Sequence, residues 1–125
     1  MPSPPTGSPI SRELVFERTA DVVTAAAWAT ITTAVYVICD PRRIVRYVGS
    51  IAGRTLAGRI REHVAARHGA RQWTQITVIP LHPTTRLTLV RQSEGLVGRA
   101  LDPLDNELLP AAPGMPRWVP PHRRT

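Results

Sequence analysis

Proline is concentrated at the two ends of the chain, and this distribution limits where a compact domain can form. Nine of the 13 prolines lie within the first ten or the last sixteen of the 125 residues. Because proline has a fixed φ and no backbone N–H, such segments favour extended or disordered chain. The sequence predicts a disordered Pro-rich N-terminus at residues 1–11 and a Pro/Arg-rich tail at residues 107–125. The tail is expected to have no specific role or to dock through Trp118.

Strand-like and helix-like segments alternate between these ends. Residues 12–33 predict an N-terminal helical extension, whose helix runs to about residue 29 in one piece or broken near Thr19. Residues 34–106 are expected to form one domain. β-branched and aromatic residues predict three strands, and helical patterns predict two helices. In chain order, these five elements are the strands 34–39 and 44–48, a helix 55–68, the strand 74–79 and a helix 84–100.

The order β-β-α-β-α predicts an α+β fold, in which a three-stranded antiparallel sheet is flanked by helices. Gly49 and Ser50 are expected to begin a loop after the second strand. Thr55 is a plausible N-cap for the helix that follows this loop.

Residues 22–39 carry no charge, which brings them to the lower length limit of a membrane span. Ala and Thr contribute little to insertion, and the second half of the segment resembles a strand. The acidic residues before it are unlike a signal peptide. We therefore expect no membrane association. The single cysteine, Cys39, is interpreted as a core residue and fits a reducing compartment, so the expected location is cytoplasmic.

The net charge of the chain is +7, and all 16 basic residues are arginine. Residues 34–106 contain eleven arginines and five acidic residues, which gives +6 of that total. Arginine binds phosphate and releases the counterions condensed on nucleic acid. The charge therefore favours a polyanionic partner, although a ribosomal or membrane-surface protein has a similar balance.

Glu94 occupies the most informative position in the sequence. Four apolar residues recur around it at helical spacing: Leu87, Val90, Val97 and Leu101. This pattern places a carboxylate on the apolar stripe of a helix. An isolated charge is costly to bury, so the carboxylate needs a partner. That partner is either a core arginine or a hard cation such as Mg²⁺.

Two further pairs of polar residues accompany Glu94. Arg59 and His63 lie four residues apart at the edge of the apolar face of the first domain helix, either as a solvated flank or as a phosphate-binding arm. The only two tyrosines, Tyr36 and Tyr47, fall on the two strands of the predicted hairpin. They form either a cross-strand core pair or two hydroxyls that reach one small volume.

Five short segments occur in a characteristic order. They are Ala34-Val35-Tyr36, Tyr47-Val48-Gly49-Ser50, Leu56 to His63, Glu94 to Gly98 and Pro103 to Asn106. In order and spacing they resemble the GIY-YIG nucleases over some 73 residues, from 34 to 106. The chain departs from the family pattern in two ways. Ala34 replaces the first glycine of the name motif, and the loop before Arg59 is longer than usual, so Arg54 and Arg61 are alternatives to Arg59.

The resemblance implies a metal-dependent endonuclease that hydrolyses phosphodiester bonds in DNA, with RNA not excluded. Glu94 would hold a single Mg²⁺ or Mn²⁺ ion. Tyr36 would accept or relay the proton of the attacking water, which requires its pKa to be perturbed by nearby arginine or metal charge. Arg59 would bind a non-bridging phosphate oxygen.

The remaining roles also follow from the resemblance. Tyr47 would orient the water or Tyr36, His63 would donate to the phosphate or share the proton transfer, and Asn106 would fix the site from the far side. Further nucleic-acid contacts are assigned to four arginines: Arg46, Arg54, Arg61 and Arg67.

Two alternative functions stay open. One is a nucleic-acid-binding module of the same fold whose catalysis has decayed, and the other is a small basic protein associated with the ribosome or RNA. Because the extensions are too short to read a long target, a nuclease of this size is expected to have loose specificity, to form a homodimer, or to depend on a separate targeting protein.

Overall fold

The computed structural model describes residues 14–16, 31–66 and 73–124. These residues form four strands, two helices and one short 3₁₀ turn. In chain order they are β1 (Leu14–Phe16), β2 (Thr33–Cys39), β3 (Val45–Ala52), α1 (Leu56–Ala66), β4 (Gln75–Pro80), α2 (Leu87–Leu101) and a 3₁₀ helix (Pro121–Arg123).

The strands form an antiparallel sheet in the order β1-β4-β2-β3. The predicted α+β fold is confirmed, because β2, β3 and β4 form the expected three-stranded antiparallel core and α1 and α2 accompany it. β2 lies between β4 and β3, and β3 is an outer strand. The predicted hairpin of β2 and β3 is also confirmed, with Tyr36 opposite Gly49 and Ile38 opposite Tyr47.

The prediction of a helix across residues 14–16 is wrong. This segment forms β1, which pairs with β4 through Leu14 opposite Val78 and Phe16 opposite Ile76. A short apolar and β-branched run can satisfy its backbone by adding to a sheet edge, and here that pairing overrides local helix propensity. The rest of the predicted N-terminal helix, and the Pro-rich segment before it, lie outside the described residues.

β3 is longer than predicted. Gly49 and Ser50, expected in a loop, continue the strand opposite Tyr36 and Val35 and extend it to Ala52. A glycine in a strand is intrinsically unfavourable, but it is tolerated where another group approaches the backbone closely. At Gly49 the approaching group is the Tyr36 phenol.

The two faces of the sheet bury different side chains. On one face, nine residues form the core with α1: Ala34, Tyr36, Ile38, Ile51, Leu56, Ile60, Trp73, Ile76 and Val78. On the other face, five residues pack with α2: Val35, Val37, Val48, Leu81 and Val90. The alternation along β2 and β3 follows the two-residue period of a strand. Cys39, predicted to be a core residue, packs against the second cluster and is only partly buried.

The helix ends follow from local hydrogen bonding. Thr55 is the predicted N-cap of α1, and its hydroxyl accepts a hydrogen bond from the Gly58 N–H at 3.3 Å. α2 ends at Leu101 and is capped by Asp102, which adopts the left-handed conformation with φ 54° and donates its N–H to the Gly98 carbonyl. The predicted apolar stripe of α2 is only partly correct, since the terminal residues Leu87 and Leu101 are 55% and 41% exposed.

The tail after α2 packs back onto the helix. The Trp118 Nε1–H donates to Asp102 Oδ1 at 2.8 Å, and Arg124 forms an ion pair with the same carboxylate. Arg99 donates to the carbonyls of Pro110 and Pro116 at 2.8 and 3.2 Å. The tail is therefore a strap docked through Trp118, which was one of the two roles predicted for it.

Within the part of the chain that the structure describes, no helix combines the length and apolar character needed to cross a membrane. The uncharged segment at residues 22–39 ends in strand β2. Its first nine residues lie outside the described part.

Candidate active site at the edge of the sheet

Tyr36 and Gly49 face each other across the β2–β3 hairpin. A Cβ atom built on Gly49 would lie 2.5 Å from the Tyr36 hydroxyl and 2.6 Å from Cζ. The phenol therefore crosses the space that any other side chain at position 49 would fill. Tyr36 belongs to β2, inside the sheet, but its side chain reaches Gly49 on the outer strand β3. The Tyr36 hydroxyl therefore lies beside the edge of the sheet.

Tyr47 and Trp73 extend the aromatic surface on the same face. The ring centroids of Tyr36 and Tyr47 are 6.2 Å apart with an interplanar angle of 24°, and those of Tyr47 and Trp73 are 5.1 Å apart. The two tyrosines share a face of the sheet, as both interpretations of the pair require. Tyr36 is fully buried and Tyr47 half-buried, so the pair joins the core to the surface.

Arg59 lies on α1, close enough to Tyr36 for its charge and hydrogen-bonding capacity to lower the pKa of the phenol. The position of α1 follows from its apolar residues Leu56 and Ile60, which are buried in the same cluster as Tyr36. Arg59 also donates to Glu62 Oε2 at 3.0 Å.

Of the three arginines considered as a phosphate clamp, Arg59 is the one placed beside the phenol. Arg54 is paired with Glu62 on the exposed side of α1, and Arg61 is exposed on the same helix. The described contacts therefore favour Arg59.

Glu94 approaches the same edge from the opposite face of the sheet. Its side chain is buried on α2 with a relative exposure of 8%, and Oε1 accepts a hydrogen bond from the Ser50 hydroxyl at 2.5 Å. Arg91 Nη1 lies 3.6 Å from the same oxygen. Glu94 is close enough to Tyr36 for its charge to raise the pKa of the phenol, and Arg59 is close enough to Glu94 for its charge to lower the pKa of the carboxyl. The structure therefore brings together groups that the sequence places on four different elements.

β3 is the strand around which these groups meet. Gly49 lies beneath the Tyr36 phenol on one face, and Ser50, the next residue, holds Glu94 on the other. Successive strand residues point to opposite faces, so the two contacts are separated only by the thickness of an edge strand. The phenol and the carboxylate thus lie on the two sides of one short segment of β3, and the Arg59 guanidinium is close to the phenol.

Burial dominates the electrostatics of Tyr36. It raises the pKa of the phenol well above its usual value, and the nearby Tyr47 raises it further. The charge and hydrogen bond of Arg59 lower the pKa without reversing this direction, and Glu94 raises it. Tyr36 is therefore a neutral phenol at neutral pH in the free protein, which is opposite to the lowered pKa expected of a base.

The Glu94 carboxyl is subject to the same competition. Burial raises its pKa, whereas the Ser50 hydrogen bond and the positive charges of Arg91 and Arg59 lower it. Burial is the largest effect. A buried carboxylate whose donors only partly offset its desolvation is a favourable partner for an added positive charge.

The expected site residues His63 and Asn106 have different outcomes. His63 lies on α1 one turn after Arg59, but its side chain is outside the described part of the structure. Asn106 is buried, and its amide pairs with the backbone of Val48, accepting from N–H at 2.9 Å and donating to the carbonyl at 2.8 Å. Asn106 thus holds β3 in place from its outer side.

The arginines expected to contact nucleic acid also differ in their surroundings. Arg46 forms two hydrogen bonds with the Asp105 carboxylate, at 2.9 and 3.1 Å, so its guanidinium is occupied by an ion pair within the fold. Arg54 is paired with Glu62, and Arg61 is exposed. Arg67 lies outside the described residues.

Ser50 and Arg91 are site residues that the sequence interpretation missed. Arg91 precedes Glu94 by three positions, a spacing that makes two residues neighbours on a helix surface, and this signal was available. Ser50 had no comparable signal, because its role depends on β3 continuing past Gly49.

The donor set around Glu94 fits a hard cation held by one protein ligand. Among the described residues, no three or more His, Cys, Asp or Glu side chains gather into a metal-binding group. Mg²⁺ often binds through one or two carboxylates, with water and substrate phosphate completing its shell. A single buried carboxylate beside an open sheet edge provides that minimum.

The chain matches no protein-family model, no curated protein and no solved structure with which it was compared. The resemblance to GIY-YIG nucleases therefore rests on the residues of this chain alone.

Proposed function

We propose that this protein is a metal-dependent endonuclease that hydrolyses phosphodiester bonds in DNA by a GIY-YIG-type mechanism. The observation that carries the proposal is the convergence of Tyr36, Arg59 and Glu94, from β2, α1 and α2, around Gly49 and Ser50 of the edge strand. These three groups would supply what hydrolysis of a phosphodiester requires. Tyr36 would relay the proton of the attacking water, Arg59 would bind the phosphate, and Glu94 would hold a metal ion.

Arg59 would bind the phosphate. Its guanidinium is partly exposed and lies close enough to Tyr36 to affect the pKa of the phenol, so a non-bridging oxygen bound there would lie near the phenol. Guanidinium groups bind phosphate with paired, directional hydrogen bonds, which would also orient the phosphorus for attack.

Tyr36 would act as a neutral proton relay. Because its pKa is raised, the hydroxyl enters the reaction protonated, able to accept a hydrogen bond from the attacking water and to donate its own proton to a phosphate oxygen. Tyr47 stacks on the ring and limits its movement. In this proposal, Tyr36 orients the water and relays a proton as a neutral phenol, and it does not act as a preformed phenolate.

Glu94 would hold a single Mg²⁺ or Mn²⁺ ion. When bound, such an ion stabilises the negative charge that develops on the phosphate as a Lewis acid. The Ser50 hydroxyl fixes one carboxylate oxygen at 2.5 Å and thereby orients the carboxylate.

DNA is proposed as the substrate because of the family resemblance and the net charge of +7. We place the activity in the cytoplasm. Targeting would come from a homodimer or from a separate protein.

The proposal is tested by incubating the purified protein with Mg²⁺ or Mn²⁺ on single-stranded, duplex and branched DNA and on RNA. Glu94→Gln should reduce cleavage by about 100-fold or more, the usual size of losing one electrostatic stabiliser of a transition state. Glu107→Gln makes the same chemical change on an exposed acid of the tail and should cleave normally.

Two results would reject the proposal. Full cleavage by Glu94→Gln would remove that carboxylate from the site. Tight DNA binding by the unaltered protein, without cleavage of any substrate under either metal, would support the alternative of a binding module of the same fold.

A further inference from the structure

Arg91 lies between the buried Glu94 carboxylate and the solvent. Its Nη1 donates to the Ser50 hydroxyl at 3.1 Å and is 3.6 Å from Glu94 Oε1. The side chain of Arg91 is 52% exposed, whereas that of Glu94 is 10% exposed. A guanidinium carries five N–H donors in a planar fork, so contact with Ser50 and Glu94 uses one side and leaves donors facing outward.

The acidic partner distinguishes Arg91 from other paired arginines in the described part of the chain. Arg46 is paired with Asp105, which lies after α2. Arg124 is paired with Asp102 and holds the C-terminal strap against the end of α2. Arg91 is instead paired with the carboxylate proposed to hold a cation. A divalent ion at Glu94 would repel a guanidinium about 4 Å away, at a cost of several kcal/mol before screening by solvent. Pairing with Glu94 and cation binding are therefore in competition.

We propose that Arg91 is a phosphate-binding residue of this site, which exchanges Glu94 for a backbone phosphate of the nucleic acid when Glu94 holds a cation. The proposal rests on the proposed function for the cation and the substrate. Arg59 and Arg91 reach β3 from opposite faces of the sheet, so Arg91 would bind a phosphate on the other side of the edge from the one bound by Arg59.

A double-mutant cycle in EDTA tests the exchange without metal or cleavage. The unaltered protein, Glu94→Gln, Arg91→Ala and the double variant are titrated with a labelled DNA duplex at 0.15 M salt, and binding is followed by fluorescence anisotropy. Glu94→Gln releases Arg91 from its charged partner and should tighten binding by about fivefold, the effect of one added phosphate contact at this salt concentration. Arg91→Ala should remove most of this gain.

Arg86→Ala is the matched control, since it removes one exposed arginine from the start of the same helix. In that background Glu94→Gln should still tighten binding by about fivefold. An equal gain in the Arg91→Ala background would overturn the proposal, because removal of a negative charge would then explain the whole effect.

The cation-dependent half of the proposal is tested with Mn²⁺ in a Tyr36→Phe background, which limits cleavage. Added Mn²⁺ should steepen the salt dependence of DNA binding by about one unit of slope, and Arg91→Ala should abolish this change. An unchanged slope on adding Mn²⁺ would overturn the exchange. The EDTA cycle separates the two proposals, because it can succeed in a protein that does not cleave and fail in one that does.

Discussion

The Tyr36 hydroxyl occupies the position that a Cβ atom on Gly49 would need, with a separation of 2.5 Å. The same Cβ would lie 2.9 Å from the Tyr47 ring, so a methyl group can be added only if both rings move. We expect Gly49→Ala to cost about 1–3 kcal/mol of stability, as overpacking usually does. Cleavage should fall by about 10-fold to 100-fold, because a displacement of about 1 Å in a catalytic group has this effect.

Gly53→Ala is the control for Gly49→Ala. Gly53 has φ 75° and open space where a Cβ would be, so its substitution strains the backbone without touching either tyrosine. It should destabilise the protein but preserve the cleavage rate of the folded fraction. Equal rates for the two variants, measured at a temperature where both are folded, would contradict the proposed role of the close contact.

Tyr36→Phe should reduce the fall in unfolding free energy that the unaltered protein shows at alkaline pH. Burial raises the pKa of Tyr36 in the folded protein above its unfolded value of about 10, so the folded state holds the proton more tightly. The resulting stabilisation is complete below about pH 10 and is lost as the pH rises toward the folded pKa. Urea unfolding at about pH 8 and about pH 10.5 should show this decline in the unaltered protein and a smaller one in Tyr36→Phe. Parallel declines would contradict the burial of the phenol.

The candidate site divides into parts that sequence periodicity could predict and parts that it could not. The shared face of the two tyrosines follows from the two-residue period of strands combined with the pairing of the predicted hairpin, and the burial of Glu94 follows from helical spacing. Both expectations are local, and both are confirmed. The exposure of Leu87 and Leu101 was not predicted, because helical spacing does not say where along a helix the sheet contact ends.

Contacts between distant segments account for the other differences. β1 exists because β4 offers an edge to pair with, and this edge is not visible in the sequence of residues 14–16. Asn106 was expected to fix the site from the far side, and its amide is engaged with the Val48 backbone, 58 positions earlier. Such pairings depend on the assembled sheet, and the spacing of residues within one segment carries no information about them.

Glu94→Gln should stabilise the protein at neutral pH. Burial raises the pKa of Glu94 in the folded state, so the folded protein binds this proton more tightly than the unfolded chain. Its contribution to stability is therefore greatest in acid and declines as the pH rises through the folded pKa. Glutamine carries no charge to bury, and we expect a gain on the order of 1 kcal/mol at about pH 7.5, shrinking toward about pH 4.

The gain from Glu94→Gln is measured by denaturant unfolding across this pH range, with Glu107→Gln as the exposed control. A loss of stability at neutral pH would mean that the bonds from Ser50 and Arg91 outweigh the cost of burying the charge. A gain that did not change with pH would assign the effect to packing instead of to ionisation.

Asn106→Ala should destabilise the protein more than it impairs the chemistry. The Asn106 side chain acts as a short substitute for a neighbouring strand, pairing with both the N–H and the carbonyl of Val48. Its removal leaves two backbone groups of β3 without these partners, at a cost of about 1–3 kcal/mol for each group that stays dry. Thermal unfolding measures the loss, and Gln92→Ala, which removes an amide from a half-buried position on α2, should cost far less.

At a temperature where Asn106→Ala is fully folded, cleavage should stay within about 10-fold of the unaltered rate, since misplacement of the site is its only defect. Normal stability combined with lost cleavage would instead assign Asn106 a direct contact with the substrate.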